Sequence, residues 1–238
     1  MSHSITAGKV GIASLALLFA SPGWAAAPVI PNAAPVDIYY NTSSPGEAQF
    51  GHRIEATGSP TTFEATGLPP QATLDRTTGW INGNRNHPGI YDVVVRATNA
   101  DGVGIATVRL AIHPAATGVI SSAGTFRAGQ SFTFTVRYNT PVTVTGIPYL
   151  TLAIGPMAAP SFKEANYVSG SGTTELKFRY AVTDNDVAPD GVRLVPSSPA
   201  GGAICDASGL TASPSLPVRY FVSGITIAAT GSQSAAVL

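Results

Sequence analysis

The sequence predicts an all-β protein, and three observations support this fold class. Apolar and polar side chains alternate in several short runs, which is typical of strands with one face in a core and the other in water. Glycine and proline, with 25 and 19 residues, separate these runs as turn residues do. No stretch after the N-terminal segment has the pattern of a long amphipathic helix. Many short antiparallel strands joined by turns predict β-sandwich domains.

Four runs carry the alternation most clearly: Tyr91–Thr98, Ser131–Tyr138, Leu150–Ile154 and Glu175–Val182. Their intervening side chains are mostly polar or charged, so the opposite faces are predicted to meet water. The side chains predicted to point into a core are those of Tyr91, Val93, Val95, Ala97, Phe132, Phe134, Val136, Tyr138, Leu150, Leu152, Ile154, Leu176, Phe178, Tyr180 and Val182.

The composition excludes several classes of protein. Charged residues make up 11% of the chain, against about 25% in ordinary soluble domains, and its 13 basic and 13 acidic residues cancel. Such a chain lacks the basic surface that nucleic acids require, so no nucleic-acid partner is expected. The single cysteine, Cys205, excludes a disulfide framework and a cysteine-based zinc site within one chain. We expect Cys205 to be a buried, unreactive thiol, with an intermolecular disulfide as the alternative.

Residues 1–25 are predicted to be a secretory signal peptide. Gly11–Ala20 is an apolar run too short to span a bilayer as a helix, and small residues follow it up to Ala27. Cleavage is expected after Ala25, and no later apolar stretch is long enough for a transmembrane span. The mature protein is therefore expected to be exported to the periplasm, the outer surface or the extracellular medium, secreted or associated with the membrane.

The mature chain is predicted to form two sandwich domains followed by a short tail. His113–Gly118 has the composition of a linker, since a proline and a glycine follow the end of one strand pattern at Ile112. The predicted boundaries are 34–113 for the first domain, 117–228 for the second and 229–238 for a flexible tail. Each domain then has the size of one β-sandwich.

The first domain contains an ordered series of turn motifs rich in Gly, Pro and Asn. The motifs are Ala56–Pro60, Thr66–Pro70, Leu74–Gly83, Pro88–Tyr91 and Ala97–Gly102. With this series, Tyr39–Ile112 resembles the Ig domain of bacterial surface proteins, a relative of the cadherin-like fold. The resemblance implies an antiparallel sandwich that serves adhesion or scaffolding rather than catalysis.

The second domain has its own series of motifs. They are Gly124–Gln130, Pro141–Pro148, Tyr167–Thr174 and Asp184–Asp186. With these motifs, Thr117–Ile227 resembles the Ig-like repeats that occur in tandem in large bacterial adhesins. The two resemblances together imply two tandem Ig-like or cadherin-like antiparallel β-sandwiches.

Calcium is the one cofactor that the sequence suggests. Asp184, Asn185, Asp186 and Asp190 concentrate three carboxylates and an amide in seven residues, and Ca²⁺ binds such oxygen ligands. A cation would also relieve the repulsion between the carboxylates. The alternative is a solvated acidic turn, because Asp and Asn favour turns.

A weaker calcium site is implied by the cadherin resemblance of the first domain. Asp75 lies where cadherins have an Asp-Arg-Glu motif, and Thr77 replaces the glutamate. Asn99 lies where cadherins use an aspartate, with Asp101 close by in sequence. Because each departure removes a ligand, a structural turn is the alternative role for Asp75.

Catalytic motifs are not evident in the mature sequence. Its histidines are His52, His87 and His113, and neither H-E-x-x-H nor G-x-S-x-G occurs. We expect histidines that are exposed or that pack against other residues, and the chain is predicted not to be an enzyme.

The sequence therefore predicts an exported, non-enzymatic module for adhesion, interaction or structure at the bacterial cell surface. The alternative is a carbohydrate- or protein-binding accessory to a hydrolytic system. The partner would be a protein or a glycan. Trp80, Tyr39, Tyr40 and Tyr149 are candidates for a contact patch, because aromatic side chains dominate interfaces. Packing in the core is the alternative for each of them.

Overall fold

The computed structural model describes residues 26–31, 35–39, 49–195, 199–213, 216–217 and 221–229. All regular elements in these ranges are strands and none is a helix, which confirms the predicted all-β fold. The described residues accordingly contain no helix long and apolar enough to cross a membrane. The predicted signal peptide, Tyr40 and all but the first residue of the predicted tail lie outside the described residues.

The described part of the first domain consists of two sheets packed face to face. One sheet has the order β1-β7-β6-β3 and the other the order β2-β5-β4. Phe63, Val95 and Leu110 from the first sheet meet Phe50 and Ile81 from the second in one core. The strands are β1 (Val36–Ile38), β2 (Gln49–Arg53), β3 (Thr62–Thr66), β4 (Thr73–Leu74), β5 (Trp80–Asn84), β6 (Gly89–Asn99) and β7 (Gly102–Ile112).

The long β6–β7 hairpin shows how the sequence pattern produces the sandwich. Val93, Val95 and Ala97 alternate along β6 and are fully buried, as predicted. The turn at its end is closed by Asn99, whose side-chain oxygen accepts hydrogen bonds from the N–H groups of Asp101 (2.9 Å) and Gly102 (3.0 Å). This local bonding favours a tight reversal of the chain.

The first domain also takes in residues that precede its predicted start at residue 34. Ile30 is 9% exposed and belongs to the core. The N–H of Thr57 donates to the carbonyl of Val29 (2.9 Å), and the amide of Asn99 donates to the carbonyl of Ala26 (2.9 Å). The N-terminal segment of the described chain is thus bonded into the sandwich.

The second domain is organised around one long strand. The strands are β8 (Ala116–Ser121), β9 (Gly124–Phe126), β10 (Ser131–Ile154), β11 (Ser161–Ser169), β12 (Thr173–Ala181), β13 (Arg193–Leu194), β14 (Ala200–Cys205), β15 (Phe221–Val222) and β16 (Ile225–Ile227). Strand β10 pairs in turn with β8 and β12, with β14, and with β11 and β13, all antiparallel. Strands β9 and β16 form a separate parallel pair.

Strand β10 differs from the sequence prediction, which treated Ser131–Tyr138 and Leu150–Ile154 as separate runs. The chain between them stays extended but irregular, with register shifts before Val142 and after Gly146. Gly146 has a φ of 75°, which favours glycine, and prolines flank the irregular part. The bends allow one strand to pair with different partners along its length.

The core of the second domain confirms the predicted inward faces. Phe132, Phe134 and Phe178 are at most 1% exposed. The rings of Phe132 and Phe134 meet edge to face with centroids 5.9 Å apart, and Tyr180 lies 5.4 Å from Phe132. Such aromatic pairs add to the free energy gained from burying apolar area.

Candidate functional site

The segment that joins the two domains is buried, although its composition is that of a linker. His113 is 5% exposed, Ala115 1% and Ala116 2%. The N–H of His113 donates to the carbonyl of Ile38 in the first domain (3.0 Å). The carbonyl of Pro114 accepts from the N–H of Ser213 in the second (2.7 Å). We call His113–Ala116 the joint.

The imidazole ring of His113 bridges the two domains. Its Nδ1 lies 2.7 Å from the carbonyl oxygen of Thr211, and its Nε2 lies 2.9 Å from a carboxylate oxygen of Asp37. Both partner atoms are oxygens that can accept a hydrogen bond, so the ring links one residue of each domain. The ring of Tyr39 stacks on the imidazole, with centroids 3.9 Å apart.

Asn139 of β10 makes a second connection at the joint. Its amide nitrogen donates to the carbonyl of Arg85 in the first domain (3.0 Å). Its side-chain oxygen accepts from the N–H of Ala115 (2.9 Å), and its own N–H donates to the carbonyl of Ala115 (3.0 Å). Strand β10 is therefore fixed to the joint and to a loop of the other domain.

Asp186, one of the predicted calcium ligands, lies 3% exposed inside the second domain. One carboxylate oxygen accepts from the hydroxyl of Tyr180 (2.6 Å) and from the N–H (2.7 Å) and hydroxyl (2.8 Å) of Thr183. The ammonium of Lys163 lies 3.4 Å from the other oxygen. Burial alone would raise the pKa of Asp186, but these hydrogen bonds and the Lys163 charge outweigh it and hold the pKa below its usual value.

The other residues of the predicted acidic loop have a different environment from Asp186. Asp184, Asn185 and Asp190 are exposed. Among the described residues, no three His, Cys, Asp or Glu side chains group closely enough to hold a metal ion. The structure gives Asp186 a structural role, and calcium binding stays a prediction from the sequence.

The weaker calcium ligands of the first domain form turns. Asp75 accepts hydrogen bonds from the N–H groups of Thr77 (2.9 Å) and Thr78 (3.1 Å), which lower its pKa. The side chain of Asn99 closes the β6–β7 turn, and Asp101 donates its N–H to it. These contacts agree with the structural alternative for Asp75.

The remaining polar candidates lie apart from one another in the fold. His52 is half-buried on β2, and burial lowers its pKa against the opposing effect of Glu55. His87 accepts a hydrogen bond through its main-chain oxygen from the hydroxyl of Tyr91 (3.0 Å). Cys205 is a free, half-buried thiol at the end of β14.

The predicted aromatic patch is divided among three places. Trp80 lies on the outward face of the β2-β5-β4 sheet and is 42% exposed, whereas Tyr39 stacks on His113 at the joint. Tyr149 is half-buried in β10, against Gly201 of β14. Of the three candidates that the structure describes, only Trp80 therefore has the position expected of an exposed contact residue that stands clear of the joint.

The outward face around Trp80 carries side-chain amides that the sequence analysis missed. Across the β2–β5 pair, Arg53 lies opposite Trp80, Gly51 opposite Asn82, and Gln49 opposite Asn84. Trp80, Asn82 and Asn84 occupy alternate positions of β5, so they share one face while Ile81 points into the core. That alternation was the signal in the sequence that could have identified this face.

A groove of about 300 Å³ is lined by Asn82 and Asn84 of β5, the residues two and four positions along the strand from Trp80. The amide of Asn84 donates to the side-chain oxygen of Gln71 (2.5 Å), and its own side-chain oxygen accepts from the N–H of Asn86 (3.1 Å). Gln71 has a φ of 63°, a conformation that non-glycine residues adopt uncommonly. The groove is lined by Gln49, Phe50, Gln71, Asn82, Gly83 and Asn84, none of which is charged.

A second, apolar groove of about 670 Å³ lies on the second domain. Its most exposed lining side chains are Met157 (80%) and Phe162 (66%). Arg193 lines it as well, and its guanidinium donates to the carbonyls of Gly155 (3.0 Å) and Pro156 (3.4 Å). Both domains therefore expose large apolar side chains on their outward surfaces.

A family match agrees with this architecture for the first domain. Residues 27–113 match the family described as "Putative Ig domain". The matched span begins before Ile30, ends at His113 and includes both sheets of the first sandwich. The resemblance predicted from the turn motifs of the Ig domain is thereby confirmed.

Several solved structures are similar to the chain at low TM-scores. A Bacteroides fragilis protein described as a "putative alpha-galactosidase" is 28% identical over 37% of this chain and 18% of that chain, with a TM-score of 0.32. Extracellular domains 3-5 of Drosophila OTK are 12% identical over 84% of this chain and 59% of that chain (TM-score 0.33). Titin domains I67-I69 are 10% identical over 85% of this chain and 66% of that chain (TM-score 0.34). These similarities indicate nothing about what this chain binds.

No curated protein matches the sequence.

Replacing His113 with alanine should weaken the joint. The substitution removes two hydrogen bonds and a stacked ring, and we expect the free energy of unfolding to fall by about 1–3 kcal/mol. Urea denaturation measures this loss, and limited proteolysis should show faster cleavage between the domains. His87→Ala is the matched control, since the hydrogen bond of His87 with Tyr91 uses only its main chain. Equal stability and equal cleavage of the two variants would contradict a role for the ring.

Acid should destabilise the second domain partly through Asp186. Because its pKa is lower in the folded state than the ordinary value of 3.8, its contribution is present above about pH 4 and is lost as the pH falls through the folded-state pKa. Asp186→Asn should cost about 1–3 kcal/mol at neutral pH and flatten the acid limb of the stability curve. The exposed Asp184→Asn variant should keep the acid dependence of the original chain. Denaturant unfolding of both variants between pH 2 and 7 tests this prediction. It is refuted if the free energy of unfolding depends on pH in the same way in Asp186→Asn and in Asp184→Asn.

Proposed function

We propose that the chain is an exported, non-enzymatic interaction module that acts at the bacterial cell surface through the outward faces of two joined Ig-like domains. The Ig domain at residues 27–113 fits an interaction or structural role. The observation that carries the proposal is the exposure of Trp80, Met157 and Phe162, which lie on outward faces and are not part of the hydrophobic cores. Exposed aromatic and methionine side chains are typical of binding surfaces.

The joint supports the proposal because it connects the two domains firmly. Domains in one chain move relative to each other unless an interface restrains them. Here His113 and Asn139 bond to both sides of the boundary. A restrained pair of domains presents its binding surfaces with less loss of conformational entropy when a partner binds.

Export is the first part of the proposal to test. Expressed in a bacterial host, the full chain should be recovered in the periplasm, at the surface or in the medium, with Ala26 as its N-terminus. Mass spectrometry of the intact protein identifies that terminus. Leu17→Arg places a charge in the apolar run of the signal peptide, so this variant should remain unprocessed in the cytoplasm. Cytoplasmic recovery of the unsubstituted chain would contradict export.

Binding is the second part. The purified protein should sediment with bacterial envelope fractions in a saturable manner, and substitution of the exposed aromatic residues should weaken this binding while the melting temperature stays constant. A protein that binds no envelope or extracellular fraction, or one whose hydrolytic activity disappears in His52→Ala or His87→Ala, would overturn the proposal.

Calcium is a separate prediction for the acidic loop. A site at a hundred times its dissociation constant adds about 2.7 kcal/mol to stability, so excess calcium should raise the melting temperature relative to excess chelator. Asp184 and Asp190 are exposed, so replacing both with asparagine should abolish the increase without unfolding the domain. Equal melting temperatures in calcium and chelator would remove the calcium site, and the interaction role would stand.

A further inference from the structure

We propose that the outward face of the β2–β5 pair binds a neutral oligosaccharide, with one sugar ring stacked on Trp80 and its hydroxyl groups bonded to Asn82, Asn84 and Gln71. The proposal names the ligand class for one surface of the interaction module and rests on the function proposed above. It depends on three features of this face: the indole ring, the side-chain amides and the absence of charge in the groove.

The indole ring of Trp80 lies against the main chain instead of entering the core. A Cβ atom placed on Gly51 would lie 3.3 Å from Cζ3 of Trp80 and 3.3 Å from the side-chain oxygen of Asn82. Because glycine stands there, the ring can lie over strand β2 and still leave 42% of the residue exposed. The face of an aromatic ring carries negative charge density, which attracts the polarised C–H groups on the flat side of a sugar ring.

The amides beside the ring match the hydrogen-bonding pattern of a sugar. A carboxamide offers two N–H donors and an acceptor oxygen, and each hydroxyl of a sugar both donates and accepts. Asn82 is exposed next to Trp80, while the Asn84–Gln71 hydrogen bond holds two further amides in fixed orientations. Side chains fixed before binding lose less entropy when a ligand arrives.

The charge and size of the groove favour a neutral sugar. Its lining residues are uncharged, and Arg53, which stands opposite Trp80, is outside the groove lining. A volume of about 300 Å³ lies at the low end for small-ligand sites. A stable protein partner would need about 800 Å² on each side, far more than this groove offers.

The fluorescence of Trp80 can report binding directly. The chain has two tryptophans, Trp24 and Trp80, and the expected cleavage after Ala25 removes Trp24, so the processed protein has a single tryptophan at the site. Arrays of neutral and of acidic oligosaccharides first select the probes, and the selected sugars are then titrated while emission is followed. We expect neutral sugars to shift the emission in a saturable manner and acidic sugars to give no advantage.

Variants then locate the site by calorimetric titration. Trp80→Ala should weaken binding by about tenfold or more, as expected for a central aromatic contact. Asn82→Ala should weaken it less, and Gly51→Val should displace the ring and reduce binding while Trp80 is still present. Phe162→Ala is the matched control, because it removes an exposed aromatic residue from the other domain. Thermal melts confirm that each variant is folded.

The outcomes separate this inference from the proposed function. Binding of neutral sugars that is lost in Trp80→Ala and retained in Phe162→Ala supports the site. Sugar binding that survives Trp80→Ala, a preference for acidic sugars, or a protein ligand that needs Trp80 overturns it. If no sugar binds but the chain still binds envelope fractions, the sugar site fails and the interaction role stands. If nothing binds, both fail.

Discussion

The structure depends on each strand burying one face and leaving the other to solvent. Ordering a residue costs about 1–2 kcal/mol of backbone entropy, and burying a large apolar side chain returns roughly 1.5–3 kcal/mol. The inward residues of β6 and β12 supply that stabilisation, with Val95, Leu176 and Phe178 fully buried. Outward positions contribute much less to stability, so residues there can be replaced by residues of different chemistry without loss of the fold. The candidate binding surfaces of this protein are therefore found on outward faces.

The sequence predicted the strands well because alternation is a local property. The inward residues predicted from period-two patterns in β6, β10 and β12 are buried, except Tyr91, which is half-buried. Val142 of β10 is buried as well, although the patterns did not identify it. Strand β10 was not identified as one element, since its bends depend on which strand pairs with each part of it. Asp186 shows the same limit. In the sequence, a loop carboxylate that binds a cation cannot be told apart from one that accepts a hydrogen bond within the fold. Asp186 accepts such a bond from Tyr180, and the ammonium of Lys163 on another strand lies beside it.

The joint illustrates why composition alone misjudges connections between domains. Proline, alanine and glycine are common in flexible linkers, but the small side chains of Ala115 and Ala116 also allow two sandwiches to approach closely. His113 then meets Asp37 from one domain and Thr211 from the other. Those partners lie 76 and 98 residues away in sequence, so no local pattern could reveal them.

The Trp80 face depends both on the local alternation of side chains in β5 and on the pairing of β5 with β2. The positions of Trp80, Asn82 and Asn84 follow from the alternation that buries Ile81, and a reading of β5 alone places all three on one side. The sequence could not show that Gly51 lies across from Asn82, because strand register is set by tertiary pairing. A Cβ atom at that position would lie 3.3 Å from the indole, so a larger side chain would require the ring to shift. The half-exposed position of the ring thus results from the pairing of β2 with β5, which are separated in the chain. Binding of a ligand that stacks on the ring would therefore depend on the register of the two strands as well as on the tryptophan itself.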